Sequence, residues 1–265
     1  MAVVRTERPI ITLTTDFGWQ DNYVALMKAV MAGINPAATT IDITHDIPSF
    51  GIKAAAYVLE SSCRYFPSGS IHLAVVDPGV GTERRPLLIE TLNHFFVGPD
   101  NGLFAFLDRT EIVGIYQLNR KKYHLKVVSR TFHGRDIFAP AAAYLSRGVI
   151  PQELGSAIRH LSQTESFLVK KIGNKVIGEL IYIDKFGNLV SSIRESDLPL
   201  RPFVVYLNRT RIGALCGTFG DVAVGKPLAY INSAGFLEIG VRENSAAEKF
   251  GIEYEKGAKI LIAPE

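Results

Sequence analysis

Two apolar runs in this chain end in the same way, each delivering an aspartate into a tight glycine-containing turn. Leu13-Thr14-Thr15-Asp16-Phe17-Gly18 closes the first run, and Val75-Val76-Asp77-Pro78-Gly79-Val80-Gly81 closes the third. In a parallel sheet the carboxyl ends of the strands share one edge, and open α/β folds bind their ligands in the crevice beyond that edge. The two turns therefore predict a single pocket and require parallel strands in the first part of the fold.

Residue periodicity gives the same order. Ile10 to Thr15 reads as a buried strand, Asn22 to Ile34 as a helix capped by Asp21 or Asn22, and Thr39 to Thr44 as a second strand. Gly51 to Cys63 follows as an alanine-rich helix and Ser70 to Val76 as a third strand. This βαβαβ order implies right-handed crossovers and gathers Asp16, Asp46 and Asp77 on one edge. Leu87 to Val97, Ile112 to Gln117 and Tyr123 to Val128 read as further strands, and Asp136 to Arg147 as another helix.

The polar stretch from Ser162 to Ser166 predicts a linker. After it come short β-rich runs separated by Gly, Asn, Asp and Pro: Ile177–Asp184, Leu189–Ile193, Phe203–Leu207, Arg211–Ala214, Leu228–Ile231, Phe236–Val241 and Lys259–Ala263. A small β-barrel or sandwich accommodates them. The expected fold is α/β, with an N-terminal α/β domain built on a mainly parallel sheet over residues 1–166 and a smaller C-terminal β-barrel domain over residues 167–265.

Composition narrows the function classes. Lys and Arg total 29 against 26 acidic residues, and the basic residues are scattered, which argues against a nucleic-acid surface. The densest basic stretch, Arg120-Lys121-Lys122, reads as a solvated face. Cys63 and Cys216 are too few for a zinc ligand set or a disulfide framework, so a reduced cytoplasm fits best. No run reaches the ~18 uncharged apolar residues of a membrane span, and Met1 to Pro9 lacks a signal-peptide core.

The chain has neither G-x-G-x-x-G nor G-x-x-x-x-G-K-[ST], which favours a ligand without phosphates. Asp16 has two readings of equal weight: a carboxylate accepting two hydrogen bonds from a ribose diol, or a helix N-cap. Asp77 and Arg84, seven positions apart, can hold and polarise a water or form a structural salt bridge. His133, in Thr131-Phe132-His133-Gly134-Arg135-Asp136, sits in a loop as a base, an orienting partner or a structural histidine. Asp184-Lys185-Phe186-Gly187-Asn188 has the composition of a hairpin turn. It also offers a ring face at Phe186, an amide suited to an adenine edge at Asn188 and an anion for an ammonium at Asp184.

Taken in order, these segments resemble the S-adenosylmethionine hydroxide adenosyltransferases, adenosine-forming hydrolases related to fluorinase and chlorinase, over nearly the whole chain. The resemblance implies an N-terminal α/β domain with a C-terminal β-barrel, a homotrimer with sites between subunits, and hydrolysis of S-adenosyl-L-methionine to adenosine and L-methionine. It implies no metal and no redox cofactor. Asp16 then holds the ribose hydroxyls and Phe50 walls the sugar. Asn188, with Phe186, Asn244 and Ala246, recognises adenine, while Asp184 and Ser233 bind the amino acid end, with Glu238 as a further anion in an apolar strand. Asp77, Arg84 and His133 match the set that handles water.

Gly134 falls where fluorinase has a serine at its halide, and glycine there also occurs in chlorinating relatives. Two other readings follow: a chloride-dependent adenosyltransferase, and a non-catalytic adenosine or S-adenosylmethionine sensor.

Overall fold

The computed structural model describes residues 8–162, 167–200 and 202–265. Packing divides the chain into two compact units, Met1–Ser166 and Phe167–Glu265. The expected linker lies outside the described residues except for Ser162, whose N–H and Oγ–H both bond the Asp100 carboxylate, at 2.9 and 3.0 Å.

The first unit opens as β1 (Ile10–Thr15), α1 (Tyr23–Ile34), β2 (Thr39–Thr44), α2 (Ile52–Cys63) and β3 (Ile71–Val75). It continues with β4 (Pro86–Thr91), β5 (Phe95–Pro99) and β6 (Ile112–Gln117), then α3 (Ala139–Ser146), α4 (Pro151–Leu154) and β7 (Ser156–Ile158). The sheet order is β2-β1-β3-β5-β4-β6-β7. Pairing is parallel from β2 across to β5 and antiparallel from there to β7.

One sheet face is apolar because Ile11, Leu13, Ile71, Leu73 and Val75 alternate onto it, where they meet Met27 and Met31 of α1 and the alanines of α3. The α1 cap differs from the sequence reading. Asn22 holds the N-cap position, yet its side chain makes no capping bond.

Three expectations are corrected. Leu87–Val97 is a hairpin, broken where Thr91 Oγ1 donates to the His94 carbonyl at 2.8 Å and accepts its N–H at 3.0 Å. Tyr123–Val128 is not a strand: Lys121–Tyr123 forms one 3-10 turn, and the amides of Leu125 and Ser129 bond to Asp136 instead of to a neighbouring strand. The helix expected from Asp136 begins earlier, as a π-helical turn over Gly134–Phe138 that runs into α3.

The second unit comprises β8 (Lys170–Ile172), β9 (Lys175–Ile183), β10 (Leu189–Arg194), β11 (Phe203–Leu207), β12 (Thr210–Gly213), β13 (Pro227–Ile231), β14 (Phe236–Val241), α5 (Ala246–Phe250) and β15 (Lys259–Pro264). Its antiparallel sheet runs β12-β11-β15-β9-β10-β14-β13, with β8 on β9. A bridge from Leu215 to Ala229 of β13 and the Cys216 N–H on the Ala229 carbonyl at 2.8 Å bring the two ends together as a nearly closed barrel. Its interior is filled by Leu189, Ile193, Val205, Leu237, Ile239, Ile260 and Ile262. No helix among the described residues is long and apolar enough to cross a membrane.

Candidate active site

Asp16, Phe50, Asp77 and His133 line one cavity of about 460 Å³ in the first unit. Each arrives by a different route. The turn after β1 is braced by Thr15, whose Oγ1 accepts the Phe17 N–H at 3.3 Å and meets His45 Nδ1 at 2.8 Å, while the Gly18 N–H bonds the His45 carbonyl at 2.8 Å. Gly18 needs its left-handed φ of +65° to make that reversal.

Asp16 is not a helix cap. Its Oδ2 accepts the Phe50 N–H at 2.9 Å, which ties the loop before α2 to the end of β1. Burial pushes its carboxyl above the usual carboxylate range, aided by the charge of Asp77 and opposed by backbone N–H groups, that of Phe50 first. Phe50 itself lies in the left-handed region, φ +63°, and is 69% exposed. For an aromatic residue that conformation costs about 1–3 kcal/mol. A hydrogen bond to a charged group contributes about 1.5–3 kcal/mol, enough to offset it.

Asp77 lies just beyond β3, and Arg84 meets it edge-on. Arg84 Nε donates to both carboxylate oxygens at 3.0 and 2.9 Å, and Nη2 donates to Oδ2. The two side chains are only 8% and 5% exposed. Arg84 Nη2 also lies 2.7 Å from His133 Nδ1. Because a guanidinium has no acceptor, Nδ1 takes the hydrogen bond, and the proton of neutral His133 sits on Nε2. Burial holds His133 below its ordinary pKa, with the Arg84 charge adding to the effect and Asp77 and Asp136 opposing it. The result is a continuous chain, Asp77 to Arg84 to His133, with Arg84 behind the cavity and its partners on the wall.

Three more aromatic rings line the cavity. Tyr23 and Phe132 stand 5.2 Å apart between ring centroids, with Phe17 at 5.7 and 6.0 Å from them. Sequence reasoning missed Tyr23, although its place at the first residue of α1, beside the expected cap, was a usable signal. Asp46, expected on the same edge, is exposed and is not among the lining residues.

The second unit holds a cavity of about 490 Å³ lined by Phe186, Asn188, Val241, the Glu243-Asn244-Ser245 turn and one residue not singled out from sequence, Phe219. Phe186 is 77% exposed at the tip of the β9–β10 hairpin. Gly187 beside it has φ +82°, and a Cβ there would collide with Ser245 Oγ, so the hairpin and the turn before α5 are pressed together. Ser245 Oγ caps α5 by accepting the Glu248 N–H at 3.0 Å. Phe219 packs so closely on Gly240 that a Cβ there would lie 2.9 Å from its ring and 2.9 Å from Asn188 Oδ1.

Four further expected site residues lie outside the lining of this cavity. Asp184 spends its carboxylate on its own turn, accepting from the Phe186 and Asn188 amides at 2.9 and 2.8 Å and from Asn188 Nδ2 at 2.9 Å. Glu238, in β14, pairs across the sheet with Tyr230 of β13, accepting its hydroxyl, and accepts Asn232 Nδ2 at 2.7 Å. Burial raises its carboxyl above the ordinary value. Ser233 is exposed in the turn that follows Asn232, and Ala246 is buried as the first residue of α5. None of the four is among the residues lining the second cavity.

Similarity to known proteins covers both units. Residues 11–155 match the family model described as the SAM hydroxide adenosyltransferase N-terminal domain, and residues 178–259 match that of the C-terminal domain. The (R)-S-adenosyl-L-methionine hydrolase of Thermus thermophilus is 37% identical, the match covering 96% of this chain and 100% of that protein. The enzyme of the same name from Salinispora tropica is 37% identical over 92% of this chain and 94% of its own. A fluorinase from an Actinoplanes species is more distant, at 25% identity over 96% and 97%. A solved structure of a conserved protein from Thermotoga maritima superposes with a TM-score of 0.86 at 35% identity, covering 96% of this chain and 100% of that one.

Proposed function

The chain belongs to the SAM hydroxide adenosyltransferase family, and from that premise we propose that it hydrolyses S-adenosyl-L-methionine to adenosine and L-methionine. The observation that carries this reading is the Asp77–Arg84–His133 chain, whose ends Asp77 and His133 line the first cavity.

A water oxygen attacks the ribose C5′ in line with the departing sulfur. The C–O bond forms as the C–S bond breaks, and methionine leaves as a neutral thioether with the electron pair on sulfur. The sulfonium is already a good leaving group, so the site must chiefly place the nucleophile. Placement of this kind is worth about 7–11 kcal/mol in effective-molarity terms.

Each side chain then has a defined part. His133 presents Nε2–H to the attacking oxygen because its other nitrogen is engaged. Arg84 favours hydroxide character through its fixed positive charge. Asp77 is the one anion of the three and accepts the proton that water releases. Asp16 holds the ribose hydroxyls beside the Phe50 ring, and Asn188 reads the adenine edge with Phe186 and Phe219 against the base. Asp184 and Ser233 take the amino acid end, with Glu238 as a further anion, and Asp184 also holds the turn that carries Asn188.

The reading extends to a cytoplasmic homotrimer in which the first unit of one subunit is completed by the second unit of a neighbour. Each unit carries half of the groups the reaction needs: the charged chain on one, the base-recognising amide and rings on the other. Light scattering checks the assembly.

The test is incubation of the purified protein with S-adenosyl-L-methionine in ¹⁸O-labelled water, with and without chloride, followed by mass spectrometry. Adenosine carrying ¹⁸O at the 5′ oxygen is the expected product. Formation of 5′-chloro-5′-deoxyadenosine, or unchanged substrate, would overturn the reading.

A further inference from the structure

Asp136 is a buried carboxylate that the reaction described above leaves unused. It is fully buried and does not line the cavity. Its neighbour Arg135 donates to it twice, from Nε at 2.6 Å and Nη2 at 3.1 Å, and the Ser129 N–H donates to Oδ2 at 2.7 Å. Its carbonyl accepts the Leu125 N–H at 3.0 Å, and its own N–H bonds the Phe132 carbonyl at 3.2 Å. One residue thus fastens both ends of the loop that carries His133.

Two further contacts tie that fastening to the charged chain. The Arg135 guanidinium lies 5.0 Å over the Phe132 ring, which lines the cavity. On the other side, Gly81 has φ +79°, and a Cβ there would lie 2.5 Å from the Arg130 carbonyl oxygen, so the Asp77–Gly81 turn rests directly against the loop that Asp136 holds. His133 is the N-cap of the π-helical turn of which Asp136 is a member. Such turns add a residue to a helix and rotate what precedes them, a geometry that concentrates at functional sites.

We propose that Asp136 is a positioning residue: its carboxylate fixes the Ser129–His133 loop against the Asp77–Gly81 turn and so holds His133 Nδ1 on Arg84. This rests on the hydrolase reading for its kinetic consequence, while its geometric consequence is independent of any substrate. Asn at this position keeps one carboxamide oxygen: at the Oδ2 site it retains the Ser129 and Arg135 Nη2 bonds but turns an NH2 onto Arg135 Nε, and at the Oδ1 site it turns that NH2 onto the Ser129 N–H and Nη2, so in either orientation a donor faces a donor and the fastening is weakened.

The experiment pairs steady-state kinetics with ¹⁵N spectra of the histidine rings in full-length Asp136→Asn. A 1 Å misplacement near reacting groups lowers turnover on the order of 100-fold, and that loss is expected in kcat. KM is expected to stay within about twofold, because the groups that bind the ribose and base are untouched. The His133 ring signals are expected to move from a single Nε2–H tautomer towards an average of two. A cooperative thermal transition establishes that the variant is folded.

Folded Asp136→Asn with wild-type kcat and unchanged His133 signals would overturn the proposal. Should the variant not fold, Gly81→Ala presses on the same loop from the other side. It is expected to give the same kcat loss and ring shift, and unchanged values there would overturn the proposal equally. A wild-type protein inactive on S-adenosylmethionine would remove the hydrolase reading alone, since the ring spectra need no substrate.

Discussion

The two units line their cavities in opposite ways. The first presents charge: a carboxylate and a guanidinium locked together at low exposure, with a histidine on the far side of the guanidinium. The second presents faces and edges: two phenylalanine rings and a buried amide, with Glu243 at the cavity paired to Arg242 and the carboxylates of Asp184 and Glu238 turned inward to hold turns and strands. The difference follows from what each task costs. Stabilising a developing charge needs fixed dipoles in a site poor in water, which buried ion pairs provide. Recognising a flat heterocycle needs ring faces and a small number of placed polar atoms, without a net charge.

This contrast predicts that lesions in the charged chain of the first unit strike turnover and lesions in the second strike binding. The largest effect is expected from Arg84→Lys, which keeps the charge but cannot span Asp77 and His133 at once. A loss of about 10²–10³ in kcat is expected, on the scale of removing one fixed donor from a charged transition state. Steady-state kinetics check it, and a rise in KM with kcat preserved would erase the distinction between the units.

Next is Asn188→Ala. It strips the amide proposed to read the base and a bond to Asp184, and an affinity loss of about 1–3 kcal/mol is expected by calorimetry with adenosine. Phe219→Ala should weaken binding less, by about 0.5–1.5 kcal/mol, the scale of one aromatic contact. An effect of either variant on kcat alone would contradict the comparison.

The smallest effect at neutral pH belongs to a residue remote from both cavities. Burial drives His72 from 6.5 to about 3, and its Nδ1 pairs with Thr12 Oγ1 at 2.8 Å. Between those two values the unfolded chain binds a proton that the folded chain refuses. Stability therefore falls as pH drops from 6.5 towards 3, by up to about 1.4 kcal/mol per pH unit, and is unaffected above that window. His72→Asn should flatten the acid side of a chemical-denaturation series while leaving its neutral plateau.

Much of this architecture was legible from sequence where local pattern and tertiary demand coincide. Ile10–Thr15, Thr39–Thr44, Ile112–Gln117, Phe203–Leu207 and Phe236–Val241 have the bounds that their apolar runs indicated. Tyr123–Val128 misled because its alternation satisfies a strand pattern, whereas its surroundings offer Asp136 as the acceptor for neighbouring amides. Ser156–Ile158 and Lys170–Ile172 are three-residue strands, too short to show a period.

The charged chain of the first cavity was readable as turns and motifs before its geometry was known, although Arg84 and His133 stand 49 positions apart. The role of Glu238 was not, because it depends on a register that sets Tyr230 opposite it. Phe219 was missed for a related reason. It sits in a single 3-10 turn, Phe219–Asp221, whose local sequence signals capping and nothing about the Asn188 amide behind it.

The π-helical turn at Gly134–Phe138 bears on how this lineage can change. An α-helix advances about 100° per residue, so deleting one residue from that turn would restore ordinary helix and swing His133 roughly a quarter-turn away from Arg84. Substitutions there can be graded and compensated, whereas a change of length is all or nothing. Insertions and deletions in descendants of this chain should therefore accumulate in the loops around this segment and be purged within it.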